Sequence, residues 1–168
     1  MIPMRMLVLF PVVIFLVILQ LAVVSRIGLL AGHADLLLVF LALWGLQERT
    51  DVWSWAVAVG LLVGFVSGLP WPLLLAGYLL VAGLTWLLRR RIWEAPLLGV
   101  FTVIFIGTLL MHGMTFIVLK LSGTPQGFTE TLEQITLPSL LLNLLLAIPL
   151  YALVRDLASW VHPAEETR

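Results

Sequence analysis

The chain of 168 residues is 62% hydrophobic, 11% charged and free of cysteine. Soluble domains are about 45–50% apolar and about 25% charged, so this composition indicates a protein that buries most of its surface in lipid. The charge of zero excludes a field that would attract nucleic acid, and the lack of cysteine excludes disulfides and thiolate metal sites. We therefore expect an all-α integral membrane protein with one polytopic domain over residues 1–168.

Charged residues and prolines divide the chain into six apolar segments. A helix needs about 20 apolar residues to cross a bilayer, where its own hydrogen bonds satisfy the backbone. The sequence predicts a bundle of about six transmembrane helices, and a polar segment from Lys120 to Thr136 precedes the sixth. The second segment is short enough that it must borrow flanking residues, tilt or lie partly re-entrant. The predicted spans are 6–24, 35–46, 52–69, 72–88, 96–119 and 137–154.

The distribution of basic residues predicts the orientation. Lysine and arginine concentrate on the cytoplasmic side of short loops. If six spans have both termini in the cytoplasm, two of the nine basic residues, Arg26 and Lys120, lie outside. The others lie inside: Arg5, Arg49, Arg89, Arg90, Arg91, Arg155 and Arg168. This asymmetry predicts cytoplasmic N- and C-termini.

A glycine repeat marks the third span. Gly60, Gly64 and Gly68 recur every four residues, which places them on one helix face where another backbone can approach closely. The approaching helix could belong to this chain or to another protein. The five other predicted helices favour a partner within the chain.

Polar residues inside the spans are the next candidates. Asn143 lies near the middle of the sixth span, so we expect its amide to bond to another helix as a structural clasp rather than to a ligand. His112, in the outer half of the fifth span, could respond to protons or bind a ligand, yet a lone histidine is more often a packed, hydrogen-bonded side chain. His33 and Asp35 lie close together near the outer surface. With His112 they make a weak candidate polar site.

The sequence predicts no enzymatic function. An intramembrane hydrolase needs a nucleophile with its base, paired aspartates or histidines at metal spacing, and an ion-coupled transporter needs charges at the bilayer centre. All acidic residues fall at predicted span ends or in loops. We therefore expect an interaction protein with neither catalytic residues, metal site nor cofactor.

Three stretches carry a resemblance to a known family. Residues 34–38 (Ala-Asp-Leu-Leu-Leu) open the second span, and Gly60-x-x-x-Gly64-Phe65-x-x-Gly68-Leu69 forms the glycine helix. Residues 137–146 (Leu-Pro-Ser-Leu-Leu-Leu-Asn-Leu-Leu-Leu) are followed by Tyr151 and Arg155. In this order the chain resembles the bacterial rod shape-determining protein MreD family over nearly its whole length. The three arginines of residues 89–91, after Gly-Tyr-Leu at 77–79, are similar to the central basic loop of that family.

The chain departs from the family in one place. Many members carry an aspartate and a longer loop after the glycine helix, whereas this chain has Leu-Pro-Trp-Pro at residues 69–72. A role tied to that aspartate is therefore not carried over.

The resemblance implies a non-enzymatic scaffold of the cell-elongation machinery in the bacterial cytoplasmic (inner) membrane, which helps control cell shape and peptidoglycan synthesis. Its expected partners are the lipid bilayer, an MreC-like bitopic membrane protein and cell-wall synthases. Under this interpretation the helix-packing and partner-binding residues are Gly60, Gly64, Gly68, Pro138 and Asn143.

A second function stays open. The family is similar in membrane architecture to the substrate-binding S components of vitamin transporters. In that alternative, polar groups of the outer loops and upper helices line a small-molecule pocket. The groups that qualify are His33, Asp35, His112 and the segment from Lys120 to Thr136.

Overall fold

The computed structural model describes residues 9–47, 50–89, 96–125 and 127–162. Two short antiparallel strands, β1 (Gly28–Leu29) and β2 (Gly32–His33), form a hairpin after the first helix. The helices are α1 (Leu9–Ala22), α2 (Leu36–Leu46), α3 (Val52–Val66), α4 (Trp71–Arg89), α5 (Pro96–Leu121), α6 (Phe128–Thr131) and α7 (Leu137–Val161). The predicted start of the first span and the basic residues Arg5, Arg49, Arg90, Arg91 and Arg168 lie outside the described residues.

Four helical stretches are long and apolar enough to cross a membrane: Leu9–Arg26, Trp71–Arg89, Pro96–Leu121 and Phe128–Val161. Helices α2 and α3 are also apolar but shorter. The chain is therefore an all-α membrane protein, as its composition predicts, with the small hairpin as an addition in the part that the structure describes. The number of helices that cross the bilayer and the side on which the termini lie stay predictions.

Helix α2 lies at the centre of the bundle. Residues 36–45 are all buried, and α1, α3, α4, α5 and α7 pack around the helix. Eleven residues extend about 17 Å at about 1.5 Å per residue, well short of a hydrocarbon core of about 30 Å. The β1–β2 hairpin and residues 34–35 precede this short helix. The surface of the helix is covered by protein along its length. A short helix is stable there because its own hydrogen bonds satisfy the backbone and its ends find partners in the chain.

The helix α3 is shorter than the predicted third span. It ends at Val66, and the chain then turns through residues 67–70 into α4. Pro72 lies in the first turn of α4, where its missing N–H would have no helical partner. The two helices form an antiparallel pair with extensive contact along their length.

The segment from Lys120 to Thr136 differs from the expected polar connection. After a turn beyond α5, the chain is helical from Phe128, passes through a π-helical turn at Leu132–Thr136 and continues without interruption to Val161. The π turn ends two residues before Pro138, whose lack of an N–H removes the regular bond to the preceding turn. The last helical stretch is thus longer at both ends than the predicted span 137–154.

Candidate functional site

Asp35 is the N-cap of the central helix. Its Oδ1 accepts hydrogen bonds from the backbone N–H groups of Leu37 (3.1 Å) and Leu38 (2.9 Å), and the Tyr78 hydroxyl donates to Oδ2 over 3.1 Å. Tyr78 is buried about two turns into α4. Asp35 thus lies at the start of the second helix, as its assignment to a span end predicts, and its carboxylate bonds to a side chain of α4.

Asn143 connects three parts of the fold. Its Oδ1 accepts from the backbone N–H of Asp35 at 2.7 Å, and its Nδ2 donates to Oγ1 of Thr108 at 2.9 Å. Both Asn143 and Thr108 are completely buried. The amide thus joins α7 to the start of α2 and to α5. This is the arrangement that a structural clasp requires, because both halves of the amide are occupied by groups of the protein.

The hairpin is attached to α7 and to the π turn. The backbone N–H of His33 donates to Oγ of Ser139 at 3.0 Å, and the N–H of Ala31 donates to the carbonyl of Gln134 at 3.1 Å. A Cβ atom built on Gly32 would lie 2.8 Å from Cβ of Pro138. Pro138 therefore packs against the hairpin within the chain, where only glycine leaves enough space.

Gln20 attaches α1 to the same region. Its Nε2 donates to the carbonyl of Ala34 at 2.9 Å, and its Oε1 accepts from the N–H of Leu36 at 2.8 Å. The side-chain amide of Gln20 thus satisfies the carbonyl of Ala34 and the N–H of Leu36, which lie on either side of Asp35. Four side chains fasten this end of α2: Gln20, Asp35, Tyr78 and Asn143. We call them the outer clasp, after the side of the membrane on which the sequence predicts this end.

The three residues of the predicted polar site make separate contacts in the fold. The His33 side chain is exposed and makes its bond through the backbone, whereas Asp35 belongs to the outer clasp. Nδ1 of His112 lies 3.2 Å from Oγ1 of Thr136. Within the described ranges these three residues have different hydrogen-bond partners, and a common polar site stays a prediction. Positions near a common membrane face do not determine which side chains point inward.

The other end of α2 is held by Arg89. Its guanidinium donates to the carbonyls of Gln47 and Thr50 and, over 2.5 Å, to Oγ1 of Thr50. The Thr50 hydroxyl in turn donates to the carbonyl of Trp44 at 2.7 Å. A cation at this end interacts favourably with the helix dipole and satisfies carbonyls that the helix leaves free. We call Arg89 and Thr50 the inner cap, after the predicted cytoplasmic side of the membrane.

Sequence reasoning missed several of these partners. Arg89 was counted as a charge that fixes orientation, and Tyr78 entered through the resemblance without a bonding role. One signal was available for Arg89, since an arginine in the last turn of a helix often bonds to nearby free carbonyls. For Tyr78 and Gln20 the sequence alone contains no sign of their partners.

The glycine repeat is divided by the structure. Cβ atoms built on Gly60 and Gly64 would lie 2.8 Å from Leu75 Cα and 2.8 Å from Trp71 Cβ, so α4 occupies this face. A Cβ on Gly68 would meet nothing within 4 Å. Gly68 lies beyond the end of α3, and its place in the packing face is corrected. The face formed by Gly60 and Gly64 is filled by the chain itself and is not available to a partner's helix.

Two cavities border the long helix α5. The larger, about 380 Å³, is an open groove between α5 and α7, and its one polar side chain, Thr102, donates to the carbonyl of Leu98 in its own helix. The groove is lined by Phe101, Thr102, Phe105, Leu141, Leu144, Leu145 and Ile148. The smaller cavity, about 170 Å³, lies between α5 and the π turn beside His112.

Among the residues that the structure describes, no three His, Cys, Asp or Glu side chains are grouped so as to hold a metal ion. Comparison with known proteins adds no identification. No family model, curated protein or solved structure matches this chain. The site is thus characterised by its own contacts, which are mainly contacts that hold helices together.

Proposed function

We propose that this protein is a non-enzymatic scaffold of the bacterial cell-elongation machinery, which spans the cytoplasmic membrane six times with both termini inside. Its proposed partner is an MreC-like bitopic protein, and cell-wall synthases are further members of the assembly. In this role the protein holds the partner's membrane segment and contributes to the control of cell shape and peptidoglycan synthesis.

The observation that carries the proposal is how the buried polar groups are used. Asp35 and Asn143 come from two of the stretches that carry the resemblance to the MreD family, 34–38 and 137–146, and Tyr78 comes from residues 77–79 before the arginine run that is also similar to the family. In the fold these side chains meet and bond to each other or to backbone groups. Groups spent on internal hydrogen bonds fix the shape of a bundle and are not free to bind a substrate. Such use suits a scaffold better than a transporter.

The partner's helix is proposed to pack on the outer surface of the bundle. The glycine face is filled by α4, so the close helix contact that the repeat offers is made inside the chain. The groove between α5 and α7 is concave and apolar, and its hydroxyl is already bonded. A transmembrane helix could insert apolar side chains there without leaving a polar group unpaired.

The S component of a vitamin transporter is kept as a second candidate because of the smaller cavity. His112 and Thr136 line a space near the predicted outer side, in the region where that alternative places its substrate. Its volume of about 170 Å³ is however below the range of about 300–1,000 Å³ that is usual for small-molecule sites. The cavity is therefore better suited to a ligand smaller than a vitamin.

Site-specific photocrosslinking followed by mass spectrometry tests the proposal. A benzophenone amino acid would replace Phe105, which is 46% exposed in the groove. As a matched control, the same residue would replace Leu87, which is 63% exposed on α4. Crosslinking of an MreC-like protein from position 105, and much less from position 87, would support the scaffold and its binding face. Recovery of a transporter ATPase in place of such a protein would overturn the proposal in favour of the S component.

The proposed orientation has its own test. A reporter fused after Arg168 should be active only as a cytoplasmic reporter, because the excess of basic residues is on the side of both termini. Activity of a periplasmic reporter at that position would contradict the six-span arrangement.

A further inference from the structure

The smaller cavity has walls from two elements of the fold. One wall belongs to α5 and consists of Leu109, His112, Gly113 and Phe116. The other wall belongs to the helical segment that follows and consists of Phe128, Thr131, Leu132 and Thr136. The π turn at Leu132–Thr136 forms part of this wall. Such turns widen a helix locally and are frequent at functional sites.

Aromatic rings and a glycine shape the space. Phe116 and Phe128 meet edge to face, with ring centroids 5.6 Å apart and planes at 74°. Gly113 lines the cavity from α5 and has no side chain to fill it. A Cβ built on Gly113 would meet nothing within 4 Å. The cavity thus has aromatic groups in its wall and open space at the glycine. An apolar ligand can therefore enter without displacing a side chain at position 113.

The polar part of the wall is centred on His112. Nδ1 is paired with Oγ1 of Thr136 at 3.2 Å, and the Thr131 hydroxyl donates to the carbonyl of Gly127 at 2.9 Å. Within the described part of the chain, Nε2 of His112 makes no hydrogen bond. Depending on which partner donates in the pair with Thr136, Nε2 is a donor or an acceptor. A hydroxyl group can match either state, since it both donates and accepts.

The volume limits the size of the ligand. Engineered apolar cavities of about 150 Å³ bind benzene, so about 170 Å³ accommodates a single ring and little more. From these walls and this size we infer that the cavity is a binding site for one small neutral aromatic ring that carries a hydroxyl group, as in a phenol. His112 would bond to the hydroxyl and Phe116 and Phe128 would contact the ring. This site goes beyond the scaffold function, and neither depends on the other.

The probe for this site is 4-fluorophenol, with fluorobenzene as the partner lacking the hydroxyl. Each would be titrated into the full-length protein in lipid nanodiscs and followed by fluorine NMR, with empty nanodiscs as the reference for partition into lipid. We expect saturable binding of 4-fluorophenol to the protein and about fivefold weaker binding of fluorobenzene, the ratio expected of one neutral hydrogen bond. A 4-fluorophenol titration identical to that of empty nanodiscs would overturn the inference.

Variants test the hydrogen bond of His112 separately from the contribution of the cavity's shape. His112→Phe keeps an aromatic side chain but removes Nε2, so the fivefold preference for the phenol should disappear. His33→Phe is the matched control, because the same replacement at an exposed histidine away from the cavity should leave the preference unchanged. A full preference in His112→Phe would refute the proposed hydrogen bond.

A third variant keeps the inference open to refutation if His112→Phe does not insert. In Gly113→Leu the new side chain enters open space, so the fold should tolerate it while the entrance narrows. We expect at least tenfold weaker binding of both probes. Unchanged binding in this variant would place the probes elsewhere on the protein and would contradict the site.

Discussion

Two helix contacts in this protein are built in opposite ways. The central helix α2 is fastened at its ends by polar side chains, with the outer clasp at one end and the inner cap at the other. The pair α3–α4 is held by close approach of backbones at Gly60 and Gly64, where no polar side chain takes part. The contacts of α2 thus depend on hydrogen bonds, and the α3–α4 contact depends on close packing.

The difference follows from what a bilayer offers. Lipid tails are as apolar as leucine, so burial of apolar surface gives helices little reason to associate, and packing and hydrogen bonds must do so. Close packing fails when atoms are added, whereas a hydrogen bond fails when a partner is removed. Substitutions that add volume and substitutions that delete polar atoms should therefore affect different helices.

Loss of the carboxylate in the outer clasp should have the largest effect. Asp35→Ala removes the helix cap, worth about 1 kcal/mol, and leaves buried N–H and hydroxyl groups without partners at about 1–3 kcal/mol. We expect the free energy of unfolding in mixed micelles to fall by about 3 kcal/mol in total. Asp51→Ala is the matched control, since Asp51 caps α3 with the same kind of bonds at the surface. Equal losses in the two variants would show that burial of Asp35 adds nothing.

A bulky residue at the glycine contact should come next. In Gly64→Leu the new Cβ would begin 2.8 Å from Cβ of Trp71, so α3 and α4 must separate. Overpacking of this kind costs about 1–3 kcal/mol, and we expect about 2 kcal/mol in the same unfolding measurement. Gly68→Leu should be neutral, because a Cβ there meets no atom. A similar loss at both positions would remove the distinction between them.

Removal of the inner cap should have a comparable or smaller effect. Arg89→Leu deletes charge-assisted bonds to Gln47 and Thr50, and bonds of this type are worth about 1.5–3 kcal/mol. We expect a loss of about 2 kcal/mol, because water or lipid headgroups near a helix end can satisfy part of what the arginine leaves. Arg155→Leu is the control, since Arg155 pairs with Asp156 on an exposed surface. In Arg155→Leu the free energy of unfolding should change by no more than about 0.5 kcal/mol.

The glycine contact was the more predictable of the two. Spacing of four residues identifies a helix face without any knowledge of the tertiary fold, and Gly60 and Gly64 lie on it as expected. The same spacing included Gly68, which the structure places after the end of α3. Spacing identifies the face but not the residue at which the helix ends, and here Ser67 and Pro70 follow within four residues of Val66.

The polar clasp was predictable only in part. Asn143 was singled out because an amide in an apolar span needs partners, and this requirement holds whatever the fold. Asp35 was placed correctly at the start of the second span, but its bond to Tyr78 depends on how α2 packs against α4. The partners Gln20, Tyr78 and Arg89 depend on the same arrangement. Apolar residues cover both lipid-facing and buried surfaces in this chain, so hydrophobicity does not reveal that α2 is the central helix.

The smallest effect is expected where one amide is removed from the outer clasp. Asn143→Leu leaves the N–H of Asp35 and the hydroxyl of Thr108 without their partner but keeps the carboxylate cap of α2. Interhelical hydrogen bonds of this type average about 0.6 kcal/mol and reach about 1.7 kcal/mol, so we expect a loss of about 1 kcal/mol. Thr102→Val should change little, because that hydroxyl bonds within its own helix at the groove. A loss in Asn143→Leu as large as that in Asp35→Ala would mean that the amide, and not the carboxylate, holds the central helix in place.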